Sequence, residues 1–166
     1  MGKIFLTSDT FFGRNLEAVN RGFENSVEME EELIDNWNSR VKPDDIVYHL
    51  GNFAWDPISA ESALAFLNGK ILFIGGEYDK CLSELSLIKV GKHYLLPTIT
   101  YLPTTELVLS HWPMMDWNDK KDGTIHVHGG KIPTSLEDGY RFNANITNWN
   151  LAPIELDFLK ELTQIK

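Results

Sequence analysis

Residues 3–10 read KIFLTSDT, an apolar run that gives way to the polar residues Ser8, Asp9 and Thr10. A short apolar run with polar residues at its end is typical of a strand buried on both faces, so a first strand is predicted over residues 3–8. Similar runs follow at residues 46–50 and 71–74. Each interval is long enough for a helix, and strands that alternate with helices pair in parallel, with the helices covering the sheet.

The segments around these strands carry helix signals. The capping-box pattern Asn25-Ser26-Val27-Glu28 predicts the start of a helix whose apolar face is formed by Met29, Leu33, Ile34 and Trp37. A second helix is predicted over residues 59–67, ending at Asn68-Gly69. A closing helix is predicted with Pro153 in its first turn and an apolar stripe made of Ile154, Phe158, Leu159, Leu162 and Ile165.

The second half of the chain differs, because its apolar runs are shorter and are broken by prolines and by Gly123. Strands are predicted over residues 93–96, 98–102, 106–109, 124–128 and 141–146, and a surface loop or short helical turn over residues 114–122. Short strands at this spacing favour mainly antiparallel pairing. The expected architecture is therefore two sheets in a single domain over residues 1–166, with helices outside.

Composition limits the classes of function. The net charge is −9, with 24 acidic and 15 basic residues, which disfavours non-specific binding to nucleic acid or to anionic membranes. The only cysteine, Cys81, cannot form an internal disulfide, and the apolar runs are too short to span a bilayer. Since the chain opens directly on a strand-like segment rather than on a signal peptide, we expect a cytoplasmic protein without a membrane partner.

Five short blocks carry most of the information on function. They are Thr7-Ser8-Asp9-Thr10-Phe11-Phe12-Gly13, His49-Leu50-Gly51-Asn52-Phe53, Gly76-Glu77-Tyr78-Asp79, Val108-Leu109-Ser110-His111-Trp112-Pro113, and His126-Val127-His128-Gly129-Gly130-Lys131-Ile132. In this order and at this spacing they resemble the signature blocks of the calcineurin-like metallophosphoesterases, above all those of small bacterial and phage members. The resemblance covers nearly the whole chain.

This resemblance implies an α/β fold, namely a two-sheet sandwich flanked by helices (αββα) with mixed parallel and antiparallel pairing. It also implies a site for two divalent metal ions, which in such enzymes clamp a phosphate ester and activate a water molecule. The ligands would lie in the loops at the carboxyl ends of the strands, where open α/β sheets usually bind ligands.

Four of the five blocks depart from the family pattern at a ligand position. Asp9-Thr10-Phe11 stands where the family has Asp-x-His, and Gly51-Asn52 replaces a Gly-Asp whose carboxylate bridges both ions. Gly76-Glu77-Tyr78-Asp79 replaces Gly-Asn-His-Asp, and a phenol, with a usual pKa of about 10, is a poor general acid in place of that histidine. Gly129-Gly130-Lys131-Ile132 lacks both histidines of Gly-His-x-His, whereas His111 is retained.

Too few ligands survive for a two-ion site. The resemblance leaves a remnant metal site of Asp9, Asn52, Glu77 and His111, which we expect to be weak or empty. We expect no cofactor, or at most one divalent ion (Mn, Fe, Ni or Zn), and Tyr78 stands at the usual catalytic position. His126-Val127-His128 is itself a His-x-His whose rings share one strand face, but a shift of four residues moves them more than ~10 Å along a strand, which favours ordinary strand residues.

Arg14 and Lys131 offer a replacement for the positive charge of the ions. Removing two dications leaves carboxylates without partners, which is costly when they are buried. One hypothesis is that Arg14 and Lys131 neutralise Asp9 and Glu77 and hold a phosphate. The alternative is that both side chains point into solvent, as lysine and arginine usually do.

The leading interpretation is a pseudoenzyme with a metallophosphoesterase fold that binds a protein partner or a phosphorylated small ligand. If it is phage-encoded, it would act in the host cytoplasm. The alternatives are a residual single-metal phosphoesterase or phosphodiesterase that uses Glu77 and His111, and a subunit that serves only assembly. Fold-level resemblance alone does not supply a function when the site is altered.

Overall fold

A computed structural model describes residues 2–80, 82–85, 91–131 and 140–164. Cys81, Ile132 and Ile165 lie outside these ranges. The first sheet has five strands in the order β4-β3-β2-β1-β9, namely Tyr94–Leu95, Lys70–Phe73, Ile46–His49, Ile4–Thr7 and Ile154–Glu155. β1 to β4 pair in parallel, as the alternation of strands and helices predicted for the first three, and β9 runs antiparallel to β1.

The second sheet has four strands in the order β5-β6-β7-β8, which span Ile99–Leu102, Leu107–Ser110, Ile125–His128 and Arg141–Asn143. Only β5 and β6 pair antiparallel, whereas β6, β7 and β8 are parallel. The prediction of mainly antiparallel pairing in this half is therefore wrong. The short connection after β5 allows a hairpin, but residues 111–124 and 129–140 are long enough to return the chain to the same end of the sheet.

Four helices accompany the sheets: α1 Asn15–Asn20, α2 Ser26–Arg40, α3 Pro57–Phe66 and α4 Leu156–Gln164. The predicted cap of α2 is confirmed, because the Asn25 side chain accepts the Glu28 backbone N–H at 3.1 Å. The prediction that Pro153 lies in the first turn of the closing helix is wrong. The two residues after it pair with β1, so α4 begins only at Leu156.

Two apolar clusters lie on opposite faces of the first sheet. One packs α2 and α3 against the sheet around the fully buried Trp37, and the other fills the space between the sheets with residues such as Leu6, Leu109 and Val127. Neighbours on β1 divide between them, since Phe5 belongs to the first cluster and Leu6 to the second. The predicted fold class, a two-sheet α/β sandwich flanked by helices with mixed pairing, is confirmed. Among the described residues, no helix is long and apolar enough to cross a membrane.

Candidate functional site

The loops at the carboxyl ends of five strands converge on one cleft. Asp9 lies two residues beyond β1, Asn52 three beyond β2, and His111 directly follows β6. Glu77 and Gly130 follow β3 and β7. Parallel strands end at the same edge of a sheet, so the fold brings these loops together although they are distant in sequence.

The backbone of these loops is held in an uncommon conformation. Asp9, Phe11 and Asn52 have φ angles of 59°, 52° and 58°, in the left-handed region that non-glycine residues rarely adopt. Gly51 has φ 98°, and a Cβ built on it would lie 2.3 Å from Nδ1 of His111. Only glycine therefore allows the β2 loop to approach His111 so closely.

The Asp9 carboxylate is fully buried and is closed off by hydrogen-bond donors of the protein. Oδ1 accepts the Asn52 amide Nδ2 at 2.8 Å, while Oδ2 accepts the Ser8 hydroxyl at 2.6 Å and the Gly130 backbone N–H at 2.8 Å. The backbone N–H of Tyr78 donates to Asn52 Oδ1 at 3.2 Å and thereby orients the amide NH₂ towards Asp9. An amide donor occupies the place at which the resemblance puts a metal ion.

His111 is buried and has a defined tautomer. Its Nδ1 lies 2.7 Å from the Leu50 carbonyl oxygen, which only accepts, so Nδ1 carries the proton. Nε2 is left with its lone pair directed at Asn52 Nδ2, 3.4 Å away. A histidine fixed through Nδ1–H to a backbone carbonyl has the orientation of a metal ligand, but here Nε2 faces the Asn52 amide.

Asp79 has a structural role. It is buried and accepts three backbone N–H groups, from Asn52 at 2.6 Å, Phe53 at 2.8 Å and Gly76 at 2.7 Å. Burial raises the pKa of this carboxyl, although the three N–H donors act in the opposite direction. These contacts tie the β2 loop to the β3 loop and leave Asp79 no free oxygen for a ligand.

Glu77 and Tyr78 lie on the open side of the cleft. Glu77 is exposed and lines the cleft together with His111 and Asn52. The half-buried ring of Tyr78 packs against Phe11 and Trp55, each with a centroid separation of 5.6 Å. Tyr78 is therefore part of an aromatic wall at the position where the resemblance expects a catalytic histidine.

Arg14 and Lys131 both line the cleft but do not bind the carboxylates suggested for them. The Arg14 guanidinium carbon lies 4.8, 4.8 and 4.7 Å from the ring centres of Phe11, Trp55 and Tyr78. Lys131 Nζ lies 2.8 Å from the buried carboxylate of Glu17 and 5.9 Å from the ring centre of Phe11. Hence Asp9 is satisfied by uncharged donors, and the two cations gather at the ring that replaces a histidine.

Glu17 and Arg21 were missed in the sequence. The Arg21 side chain is only 4% exposed, pairs with Glu17 at 3.3 Å, and donates to the backbone carbonyls of Asp9 at 2.5 Å and Thr10 at 3.2 Å. These hydrogen bonds stabilise the backbone of the loop after β1. The sequence does contain a signal for this pair. Glu17 on α1 and Arg21 at the C-terminal cap of α1 are four residues apart, and this spacing places their side chains on one face of the helix.

The His126-Val127-His128 pair belongs to strand β7. Its rings share a face, with centroids 5.6 Å apart. His126 donates through Nδ1 to the Val108 carbonyl at 3.0 Å and accepts the Met114 N–H at Nε2, also at 3.0 Å. His128 donates through Nδ1 to Gly129 O at 2.8 Å, and its buried Nε2 has no partner among the described residues.

The resulting space, called the Phe11 cleft below, has a volume of about 260 Å³ and is lined by Phe11, Arg14, Asn52, Glu77, Tyr78, His111, Trp112, Gly130 and Lys131. Its donor set does not fit a pair of metal ions, since both Asp9 oxygens already accept hydrogen bonds and Asn52 presents an N–H where a bridging oxygen is required. Within the described ranges, no three His, Cys, Asp or Glu side chains are grouped as metal ligands would be.

Comparison with known proteins places the chain among uncharacterized relatives. No family model matches it. The uncharacterized protein MJ1445 of Methanocaldococcus jannaschii is 32% identical over 177 residues, which cover 99% of this chain and 93% of that protein. The crystal structure of the protein of unknown function AQ665 from Aquifex aeolicus has a TM-score of 0.72 at 21% identity, covering 98% of this chain and 100% of that chain, and it shows the fold alone.

Proposed function

We propose that this protein, which belongs to the same family as MJ1445 of Methanocaldococcus jannaschii, binds a small phosphorylated molecule in the Phe11 cleft. In this proposal the protein does not hydrolyse the molecule. In this proposal the cleft derives from a metallophosphoesterase site in which fixed cationic side chains and amide donors have taken over the role of the metal ions.

The observation that carries the proposal is the position of Arg14 and Lys131. Both cations lie over the ring of Phe11, within the distance of about 6 Å at which cation–π attraction is effective. Within the described part of the chain, no carboxylate pairs with Arg14. Its N–H groups are therefore available to a phosphate, for which the planar fork of arginine is well suited.

Loss of hydrolysis follows from the state of Asp9 and Asn52. Hydrolysis of a phosphate ester by this type of site requires an activated water, and a metal-bound hydroxide is the usual means. Here the carboxylate that would hold the ion is occupied by Asn52, Ser8 and Gly130. A bound ester would meet positive charge and hydrogen-bond donors but no nucleophile.

Arg14→Met is expected to weaken the binding of inorganic phosphate by about tenfold or more, because one charge-assisted interaction of this kind contributes about 1.5–3 kcal/mol. Arg14→Lys should lose less, since it keeps the charge but not the fork. The measurement is a phosphate titration followed by calorimetry or by backbone amide NMR shifts.

Arg40→Met is the matched control, because Arg40 is exposed at the end of α2 and does not line the Phe11 cleft. Its phosphate affinity should equal that of the wild type. Equal affinity of the Arg14→Met protein and the wild type would show that Arg14 is not the anion ligand, and the proposal would fail.

A second candidate function has one observation in its favour, namely that His111, anchored through Nδ1, and the exposed Glu77 line the same cleft. These two side chains could hold a single divalent ion and support a residual phosphodiesterase. Metal analysis of the purified protein and turnover of a generic phosphodiester in Mn²⁺ distinguish the candidates. Stoichiometric metal and turnover, both lost in His111→Ala, would establish the enzyme in place of the binding protein.

A further inference from the structure

We infer that the ligand is a phosphate ester of a sugar, whose hydroxyl-bearing part lies in a second cleft that joins the Phe11 cleft at Gly130 and Lys131. The inference rests on the proposed function for the position of the phosphate. The second cleft, called the asparagine cleft, has a volume of about 370 Å³, which is within the range of small-molecule sites. Its lining includes Asn20, Asn143, Asn145, Thr147 and Asn148.

The floor of the asparagine cleft is rigid. Asn143 and Asn145 donate through Nδ2 to the Gly130 carbonyl at 3.1 and 3.3 Å, and Asn145 Oδ1 accepts the Thr147 N–H at 3.0 Å. Both asparagines are buried. These bonds fix Gly130, whose own N–H holds Asp9 in the neighbouring cleft, so the two spaces share a common wall.

The rim, in contrast, has unused hydrogen-bonding capacity. Asn20, Thr147 and Asn148 are exposed, and among the described residues none of their side chains takes part in a hydrogen bond. Two amides and one hydroxyl supply donors and acceptors together. Sugar hydroxyls also donate and accept, so they match this set better than a group that only accepts.

The polarity of the asparagine cleft favours a ligand with many hydrogen-bonding groups. Every described lining residue is polar, charged or glycine, so hydroxyl groups of a ligand would find donors and acceptors there. The charged side chains of the lining are already paired, since Glu17 forms ion pairs with Arg21 at 3.3 Å and with Lys131 at 2.8 Å, so a second phosphate would have to displace one of these pairs. The ligand group that fits the asparagine cleft best is therefore a neutral, hydroxyl-rich group attached to a phosphate. Both free sugar phosphates and nucleotides contain such a group.

Calorimetric titration of the full chain with inorganic phosphate, ribose 5-phosphate and AMP tests this inference. Ribose 5-phosphate is expected to bind at least tenfold more tightly than inorganic phosphate. The double variant Thr147→Val with Asn148→Leu should reduce this advantage to less than threefold while the affinity for inorganic phosphate stays unchanged. Asn118→Leu, an exposed asparagine outside both clefts, is the matched control and should bind like the wild type.

The outcomes separate the two proposals. Equal binding of inorganic phosphate and ribose 5-phosphate, or an advantage that survives the double substitution, overturns the sugar inference and leaves the phosphate site intact. Failure of all three probes to bind overturns both. AMP binding as tightly as ribose 5-phosphate or more tightly supports the inference with a nucleotide as the source of the sugar, and weaker AMP binding supports it with a free sugar phosphate.

Discussion

Replacing Asn52 by aspartate is expected to make the stability of the fold depend on a divalent metal ion. The substitution places a carboxylate oxygen where the amide Nδ2 now lies 2.8 Å from Asp9 Oδ1, in a site where both residues are buried. Two buried carboxylates in contact cannot both stay ionised without a cation or a proton. A buried charge without a compensating partner costs about 3–5 kcal/mol, so the metal-free variant should be destabilised by that amount at pH 8.

The measurement is denaturant unfolding of the wild type and Asn52→Asp in EDTA and in Mn²⁺. Mn²⁺ should restore most of the variant's lost stability, because His111 Nε2 and two carboxylates would then face the ion. Asn52→Leu is the control, since it removes the same hydrogen bond without adding a charge and should be destabilised but not rescued. A wild-type protein that gains as much from Mn²⁺ as the variant would contradict the assignment of Asn52 as a metal substitute.

Acidification is expected to produce the second large effect, because all five histidines are buried. Burial lowers the pKa of His49 to about 3, helped by the nearby His111, and burial likewise lowers the pKa values of His93 and His126 to about 4. Below pH 6.5 these histidines therefore bind protons in the unfolded state but stay neutral in the folded state. Their contribution to the free energy of unfolding is fully present above pH 6.5 and is lost as the pH decreases below it.

At pH 5 this difference amounts to about 2 kcal/mol for His49, with a similar loss for His93 and His126. The combined loss is a large share of the total stability of a typical domain, about 5–15 kcal/mol. Asp79 acts in the opposite direction, since its raised pKa lets the folded state take up a proton more readily than the unfolded state does. We therefore expect marked acid destabilisation between pH 6.5 and 5.

Urea unfolding at several pH values tests this expectation. In His49→Leu the pH dependence should lose the contribution of one proton, because leucine fits among the Phe53 and Phe73 rings that surround the imidazole. Leu33→Ala, at a buried position of α2, is the control and should lower stability by the same amount at every pH. An unfolding free energy that stays constant from pH 7 to 5 would show that the histidines are not held neutral by the fold.

The sequence was sufficient for the parallel strands β1, β2 and β3 of the first sheet, where local and long-range signals agree. Strand β1 and the capped helix α2 follow from the apolar runs and the Asn25 pattern, and β9 was missed because Pro153 also suits a helical first turn. Parallel pairing of β6, β7 and β8 was missed as well. It requires connections long enough to bring the chain back to the same end of the sheet, and short strands look alike in either orientation.

The position of the cleft was predictable from the loops, but the partners of its charged side chains were not. Arg14 and Lys131 were expected near the cleft, and they line it. Sequence spacing does not reveal that three aromatic rings surround Arg14 or that Glu17 on α1 reaches Lys131. Such pairings are decided by tertiary packing between segments that are far apart in the chain.

The peptide group of Gly130 has a consequence for how this protein can change. It reaches Asp9 through its N–H and two asparagines through its carbonyl, at a φ of 77° that favours glycine. A side chain at this position would strain the backbone that both sets of contacts share. In the proposed function, a change at this peptide would therefore alter the affinity for the anion and for its attached group together, whereas a change in a surrounding side chain would alter one of them alone.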